Sequence, residues 1–292
     1  MGMALLAYTG TPGVNASSYD LTALADPNFS QRNGHYIFTE GYRLYCAAHL
    51  EASAVRANFS VPTWNAVGKP QIYPSNVSAT VPSPPRVDVR ALYPPRIPLN
   101  EEFQFQATNN LGTGTEQAWG IIQLITDDFS KGIPRGQIPI MVRATASFTP
   151  GANVWSGPQT ITFEQSLRGG VYAIVGAEVQ QAGAIAFRIV FPRYRLYHGR
   201  KLYPGWLCQQ ALGDLIYPQE LGGPLEWGEW GRFHTFEPPQ LDLLNSAASA
   251  VTPEIRLWLV YLGEDVSLLS QGLGGGPAGQ GNPVGAGSGM VG

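Results

Sequence analysis

Period-two alternation of apolar and polar residues dominates the middle of this 292-residue chain. The runs are Phe103-Gln-Phe105-Gln, Trp119-Gly-Ile-Ile-Gln-Leu-Ile125, Ile138 to Phe148, Thr160-Ile-Thr-Phe163, Val171-Tyr-Ala-Ile-Val175 and Ala184 to Phe191. Gly, Pro, Asn and Ser separate them, which is strand chemistry punctuated by turns. A further strand, near-continuously apolar and so expected to be buried on both faces, lies at 255–262. With 87–92, 102–107, 119–126, 138–148, 159–164, 171–178 and 184–191 it makes eight. Eight short strands predict an all-β fold, a single eight-stranded jelly-roll barrel. Phe103, Phe105, Ile140, Val142, Phe187, Ile189, Leu257 and Leu259 share strand faces that should form its core.

The flanking sequence suggests four divisions. Residues 1–80 read as an N-terminal irregular and β region ending in a Pro-rich connector, with a turn at Asn33-Gly34 and an ambiguous stretch at 43–57 that leans to strand in its first half. Residues 81–191 and 255–270 carry the jelly-roll core. Residues 192–254 read as an inserted smaller subdomain. It should have one short helix from Pro204 to Ile216, on the spacing of Leu207, Ala211 and Leu215, and a small core of its own that includes Trp206, Trp227 and Trp230. Residues 271–292 hold ten glycines and no charge and read as a flexible tail.

Composition narrows the function. Charged residues are 13% of the chain, about half the usual share of roughly 25%. So few charges suit a protein whose surface is covered by partners. Net charge is −3 and the first basic residue is Arg32, which argues against phosphate-driven binding to nucleic acid. Arg outnumbers Lys fifteen to three, as a GC-rich genome or a hot habitat would produce. No run approaches the length of a membrane-spanning helix, and the N-terminus lacks the pattern of a secretory leader.

Candidate chemistry is sparse. His35, His49, His198 and His234 fall in no recognisable motif, and no Gly-x-Ser-x-Gly elbow occurs. Cys46-x-x-His49 is half of a zinc spacing, and Cys46 and Cys208 read as buried apolar residues. No catalytic residue, cofactor or metal is expected. Glu226-Trp-Gly-Glu229-Trp230 places acids beside stacking rings, as a sugar site would, with Trp227 and Trp230 as a candidate exposed aromatic patch. The alternative there is packed tryptophans with solvated acids. One basic–aromatic cluster stands out: Arg193, Tyr194, Arg195, Tyr197, Arg200, Lys201 and Tyr203. It suits a subunit interface, where Arg and Tyr are enriched. Single-stranded nucleic acid, anionic lipid and a plain solvated loop are the other readings.

Gly170-Val-Tyr-Ala-Ile-Val-Gly-Ala177, Ala182-Gly-Ala-Ile-Ala-Phe-Arg-Ile-Val-Phe-Pro192 and Tyr203-Pro-Gly-Trp206 resemble segments of the major capsid proteins of tailless icosahedral viruses with an internal membrane. The type is that of Thermus phages and haloarchaeal sphaerolipoviruses, and the likeness is to the larger of their two capsid proteins. It implies an upright single jelly roll, made in the host cytoplasm and built into the virion. Its implied partners are copies of itself, a second, smaller capsid protein, and an internal lipid membrane or membrane protein. No catalytic residue and no direct contact with nucleic acid come with the resemblance. The rival reading is a β-sandwich module that binds carbohydrate or a receptor, as on a viral spike.

Overall fold

The computed structural model describes residues 2–51, 56–68, 71–72, 95–126, 138–192, 202–209 and 229–269. Among these the fold is all-β, antiparallel and jelly-roll-like. The strands of the first half are β1 (Met3–Gly10), β2 (Tyr19–Ala23), β3 (Ser30–Arg32), β4 (His35–Ile37), β5 (Tyr42–Leu50), β6 (Ala57–Ser60), β7 (Gln71–Ile72), β8 (Glu102–Ala107) and β9 (Ala118–Thr126). Those of the second half are β10 (Ile140–Thr145), β11 (Gln159–Thr160), β12 (Thr162–Phe163), β13 (Val171–Gln180), β14 (Ala184–Val190), β15 (Gly205–Leu207), β16 (Gly231–His234), β17 (Gln240–Asn245) and β18 (Glu254–Gly263). A four-residue α-helix, α1 (Pro62–Asn65), and a 3-10 turn at Val266–Leu269 complete the described elements.

Three sheets result. The first-half strands form one of nine strands, ordered β3-β4-β8-β2-β1-β9-β5, with β6 also on β8 and β7 on β6. The second-half strands form a five-stranded sheet, β12-β10-β18-β13-β16, and a four-stranded one, β11-β17-β14-β15. The chain passes between these two at Ile161, which is buried between β11 and β12. The β3–β4 hairpin turns at Asn33 (φ 53°) and Gly34 (φ 79°), the left-handed pair that an Asn-Gly turn requires.

Two large hydrophobic cores, not one, hold these sheets together, and β1, β5 and β9 belong to both. Met3, Leu5 and Ala7 of β1 point into the core of the second half, together with Cys46, Ala48, Trp119 and Ile121. The alternate residues Ala4, Leu6 and Tyr8 point into the first-half core, together with Leu44, Ile122 and Leu124. Every residue of β9 is therefore buried. β8, covered on one face only, alternates half-buried and buried from Glu102 to Ala107. The first-half core is largely aromatic. Phe103 meets Phe38 edge-on at 5.8 Å and 89°, and Phe59 meets Phe105 at 5.1 Å and 86°, the geometry that ring quadrupoles favour.

Several expectations change. Within the region 1–80 expected to be irregular and β, residues 2–51 and 56–60 hold six strands, two of them in the shared layer. Phe103 and Phe105 are inside, but in the first-half core, separate from Val142, Phe187, Ile189, Leu257 and Leu259. Ile140 is 46% exposed: it is the first residue of β10, paired with Leu259 of β18 but beyond the reach of β12, which pairs only with Ala144 and Thr145. β18 buries Ile255, Leu257 and Leu259 but leaves Arg256 and Trp258 half-buried on its other face. Residues 231–234 and 240–245, assigned to an insertion, instead pair with β13 and β14 as integral strands.

The helix expected from Pro204 is, in its described part, the strand β15, paired with Ala186, Phe187 and Arg188. Its backbone presses so closely on β14 that a Cβ at Gly205 would lie 2.0 Å from the Phe187 carbonyl oxygen. Trp206, Leu207 and Cys208 are buried in succession, a pattern no amphipathic helix produces. The expected strand at 87–92 and the tail 271–292 lie outside the described residues.

Because the shared layer feeds both cores, the two halves should unfold together. Leu5→Ala empties space in one core and Leu6→Ala in the other. Each should cost about 2–5 kcal/mol and lower a single calorimetric transition. Two separable transitions, each sensitive to one substitution, would show that the layer does not couple the halves.

Candidate functional site

One cluster of buried charges joins the four-stranded sheet to the first half of the chain. Arg188 sits in the middle of β14, in the run Ala-Ile-Ala-Phe-Arg-Ile-Val, every residue of which is buried. An isolated guanidinium there would be prohibitively costly, so partners are required. The antiparallel register places Asp242 of β17 directly opposite. Arg188 Nε donates to Asp242 Oδ2 at 2.8 Å, and Nη1 donates to Asp26 Oδ2 at 2.6 Å. Asp26 comes from the loop after β2, so this bond ties the two halves of the chain together.

The rest of the cluster fixes those carboxylates. Asp242 Oδ1 accepts from the Gly157 amide at 2.9 Å and from Ser156 Oγ at 3.2 Å. Asp26 Oδ1 accepts from the Asn28 amide at 2.8 Å. The guanidinium lies 4.2 Å from the centre of the Trp155 ring and 5.1 Å from that of Tyr203, within cation–π range. Burial pushes the Asp26 carboxyl up, while the charge of Arg188 pulls it back down.

A second buried pair lies on the neighbouring sheet. Arg232 of β16 donates from Nε to Glu229 Oε1 at 2.6 Å and from Nη2 to Oε2 at 3.0 Å. This two-bond fork is the strong geometry for Arg and carboxylate. Across the five-stranded sheet runs a ladder of charges. Glu178 is 3.4 Å from Arg256, Arg256 is 2.9 Å from Glu254, Glu254 is 3.3 Å from Arg143, and Arg143 is 3.7 Å from Glu164. Burial raises the Glu178 carboxyl, opposed by Arg256.

A groove of about 330 Å³ opens beside α1, lined by Arg32, Ser60, Asn65, Asn100, Glu101 and Gln104 among others. Its carboxylates are engaged at home. Glu101 binds the Thr63 amide at 2.9 Å. Glu102 accepts from Arg32 at 2.8 Å and Asn33 at 2.9 Å, and the Arg32 bond holds its carboxyl below the usual range. Among the described residues no three His, Cys, Asp or Glu side chains converge as a metal site would require, and no helix is long and apolar enough to cross a membrane.

Of the candidate interface cluster, Arg193, Tyr194, Arg195, Tyr197, Arg200 and Lys201 lie outside the described residues. Tyr203 is half-buried. Its ring faces Arg188, and its carbonyl accepts from the Leu5 amide at 2.8 Å, so it works within the chain. Trp227 also lies outside the described residues. Trp230 is not on an exposed patch: it is buried, 6.3 Å from Phe187 with the rings 21° apart. Glu229 beside it is neither solvated nor free to meet a sugar, since the fork with Arg232 holds both its oxygens.

The sequence reading missed Asp26, Trp155 and Asp242. A signal existed: a lone Arg in one apolar strand and a lone Asp in another, Leu241-Asp-Leu-Leu244, are a pair waiting for a register.

No protein-family model and no curated protein matches the chain. Among solved structures it is similar to the crystal structure of the STIV MCP, at 9% sequence identity and a TM-score of 0.20, over 88% of this chain and 96% of that one. A likeness of that size assigns neither fold nor function.

Removing Arg188 should expose what it balances. Arg188→Met leaves two buried carboxylates without their cation and should cost about 3–5 kcal/mol near neutral pH. Without the cation the Asp26 carboxyl, already raised by burial, binds its proton more tightly folded than unfolded. Its stabilising protonation is then complete at low pH and lost as pH rises through the folded-state pKa. The penalty in chemical denaturation should therefore shrink from pH 7 towards pH 5. A penalty independent of pH would mean that packing, not charge, is what the substitution disturbs.

Proposed function

We propose that this chain is a structural protein of a virion, a capsid subunit that assembles with copies of itself into an icosahedral shell and performs no catalysis. The observation that carries the reading is the architecture: antiparallel jelly-roll-like sheets whose conspicuous ionic groups are paired inside the protein, Arg188 with Asp26 and Asp242 across elements and Arg232 with Glu229 three residues away. A surface carrying little charge, in a chain with 13% charged residues, suits burial against neighbours. The resemblance of 170–177, 182–192 and 203–206 to capsid proteins of internal-membrane viruses adds a second, smaller capsid protein and contact with an internal membrane to the proposal, with a thermophilic host.

The start of β10 supplies a candidate contact between copies. Ile138 is 83% exposed and Met141 50%. β10 pairs with β18 along its length, but with β12 only at Ala144 and Thr145. Among the described residues the far side of Ile140–Arg143 has no strand, and an open apolar edge is a template for pairing with another chain.

Electron microscopy of the native source is the direct test: particles should contain this chain as a major protein, and its presence only in non-particulate fractions would overturn the reading. The contact is tested separately. Ile138→Lys with Met141→Lys should leave the melting temperature of the subunit within a few degrees while abolishing assembly in vitro. Normal assembly by the double variant would remove the β10 edge from the interface.

A further inference from the structure

We infer that His49 and Glu51 form a proton-controlled latch where the chain leaves the shared layer for the outer strands of the first half. Both side chains are 0% exposed, and His49 Nε2 lies 3.1 Å from Glu51 Oε2. They are two residues apart along an extended segment, so they share a face. The His49 ring is tilted at 6.0 Å from that of Phe105, and Gly120 is its partner across the β5–β9 ladder. Neither neighbour carries a charge. The four residues after Glu51 are Ala52, Ser53, Ala54 and Val55, none of them ionisable. Among the described residues, the other ionisable group whose field reaches Glu51 is Glu116, on the segment leading into β9.

The position makes the pair consequential. Glu51 directly follows β5, the edge strand of the shared layer. By Arg56 the chain has reached the outer layer. There the Arg56 amide donates to Thr108 Oγ1 at 3.0 Å, and the Arg56 carbonyl accepts from the Thr108 amide at 3.1 Å. β6 then begins against β8. The pair thus sits at the end of β5, five residues before Arg56 pairs in the outer layer.

The chemistry follows from counting protons. With one proton between them, imidazole and carboxyl are neutral overall, whether drawn as two neutral groups or as an ion pair. With two protons the pair is a buried cation. With none it is a buried anion, and Glu116 makes that state worse. A net charge sealed from water is costly unless the structure opens to hydrate it. Burial already pushes the Glu51 carboxyl up, with the His49 contact opposing it and Glu116 reinforcing it. For a carboxyl raised in this way the stabilisation is present at low pH and lost as pH rises through its folded-state pKa, which sets the alkaline limb. A second proton would make the sealed pair a buried cation, and that sets the acid limb. Between the limbs the latch is shut. The inference does not depend on the capsid reading.

The test is the pH dependence of stability of the full chain, compared with Glu51→Gln, His49→Gln and the double variant. The wild type should be most stable at intermediate pH, and the ratio of its unfolding constant to that of the double variant should change by up to about tenfold per pH unit on each limb, the signature of one proton. Glu51→Gln, of nearly the same shape, should flatten the alkaline limb and keep the acid one. Limited proteolysis between Leu50 and Ala57 should accelerate on both limbs in the wild type alone. A wild-type-to-double ratio that does not vary with pH overturns the proposal. If the double variant does not fold, Glu51→Gln decides alone: an alkaline limb as steep as that of the wild type refutes the latch.

Discussion

A β-layer covered on both faces is the constraint on which the rest of this structure depends. β1, β5 and β9 have no wet side, so residues of both parities must be apolar or satisfied within the protein. Met3 to Tyr8 meets that demand with six consecutive buried residues. Gln123 meets it differently: it points into the second-half core and spends its amide on the Gly205 carbonyl at 2.9 Å. That bond ties the shared layer to β15, as does the bond from the Leu5 amide to the Tyr203 carbonyl. Separating the halves would bare one face of three strands, and at roughly 25 cal/mol per Å² that loss is large compared with any single contact.

The buried charges obey the same geometry. Arg188, Asp26 and Asp242 meet where β14, β17 and the loop after β2 converge, and Arg232 and Glu229 close the far end of the five-stranded sheet. Such pairs are weak sources of net stability, because desolvation consumes most of what attraction returns. Their consequence is intolerance of misalignment. A one-residue slip of β17 against β14 would leave Arg188 facing leucine and bury Asp242 alone. The register of the four-stranded sheet is therefore enforced by charge as well as by shape. The outer ladder from Glu178 to Glu164 is wetter and correspondingly less strict.

This economy bears on the proposed role. A shell subunit must be rigid within itself and receptive at its margins. The interior satisfies the first need with two cores and a shared layer. The proposed contact would meet the second at β10, where among the described residues apolar side chains and an open ladder coincide. The basic–aromatic stretch 193–201 that first suggested an interface keeps that status as a proposal, while Tyr203 belongs to the interior through its contact with Arg188.

The sequence by itself determined the all-β class, most strand positions from 102 to 191 and the last strand, because alternation along a strand is a local property of the pleated backbone. It also determined the Asn33-Gly34 turn, since left-handed φ at both residues is a local preference. The tertiary structure alone decided how many faces each strand buries. β1 and β8 differ in that respect only because of what packs against them. It decided that Gly205 to Leu207 is a strand, because helical spacing in 204–216 cannot register a neighbouring carbonyl 2.0 Å from where a Cβ would be. It decided that Trp230 is core and that Glu229 is a partner of Arg232. And it joined Arg188 to Asp242, 54 positions on, and to Asp26, 162 positions back. Pairings across such distances are set by sheet order and register, which no window of sequence contains.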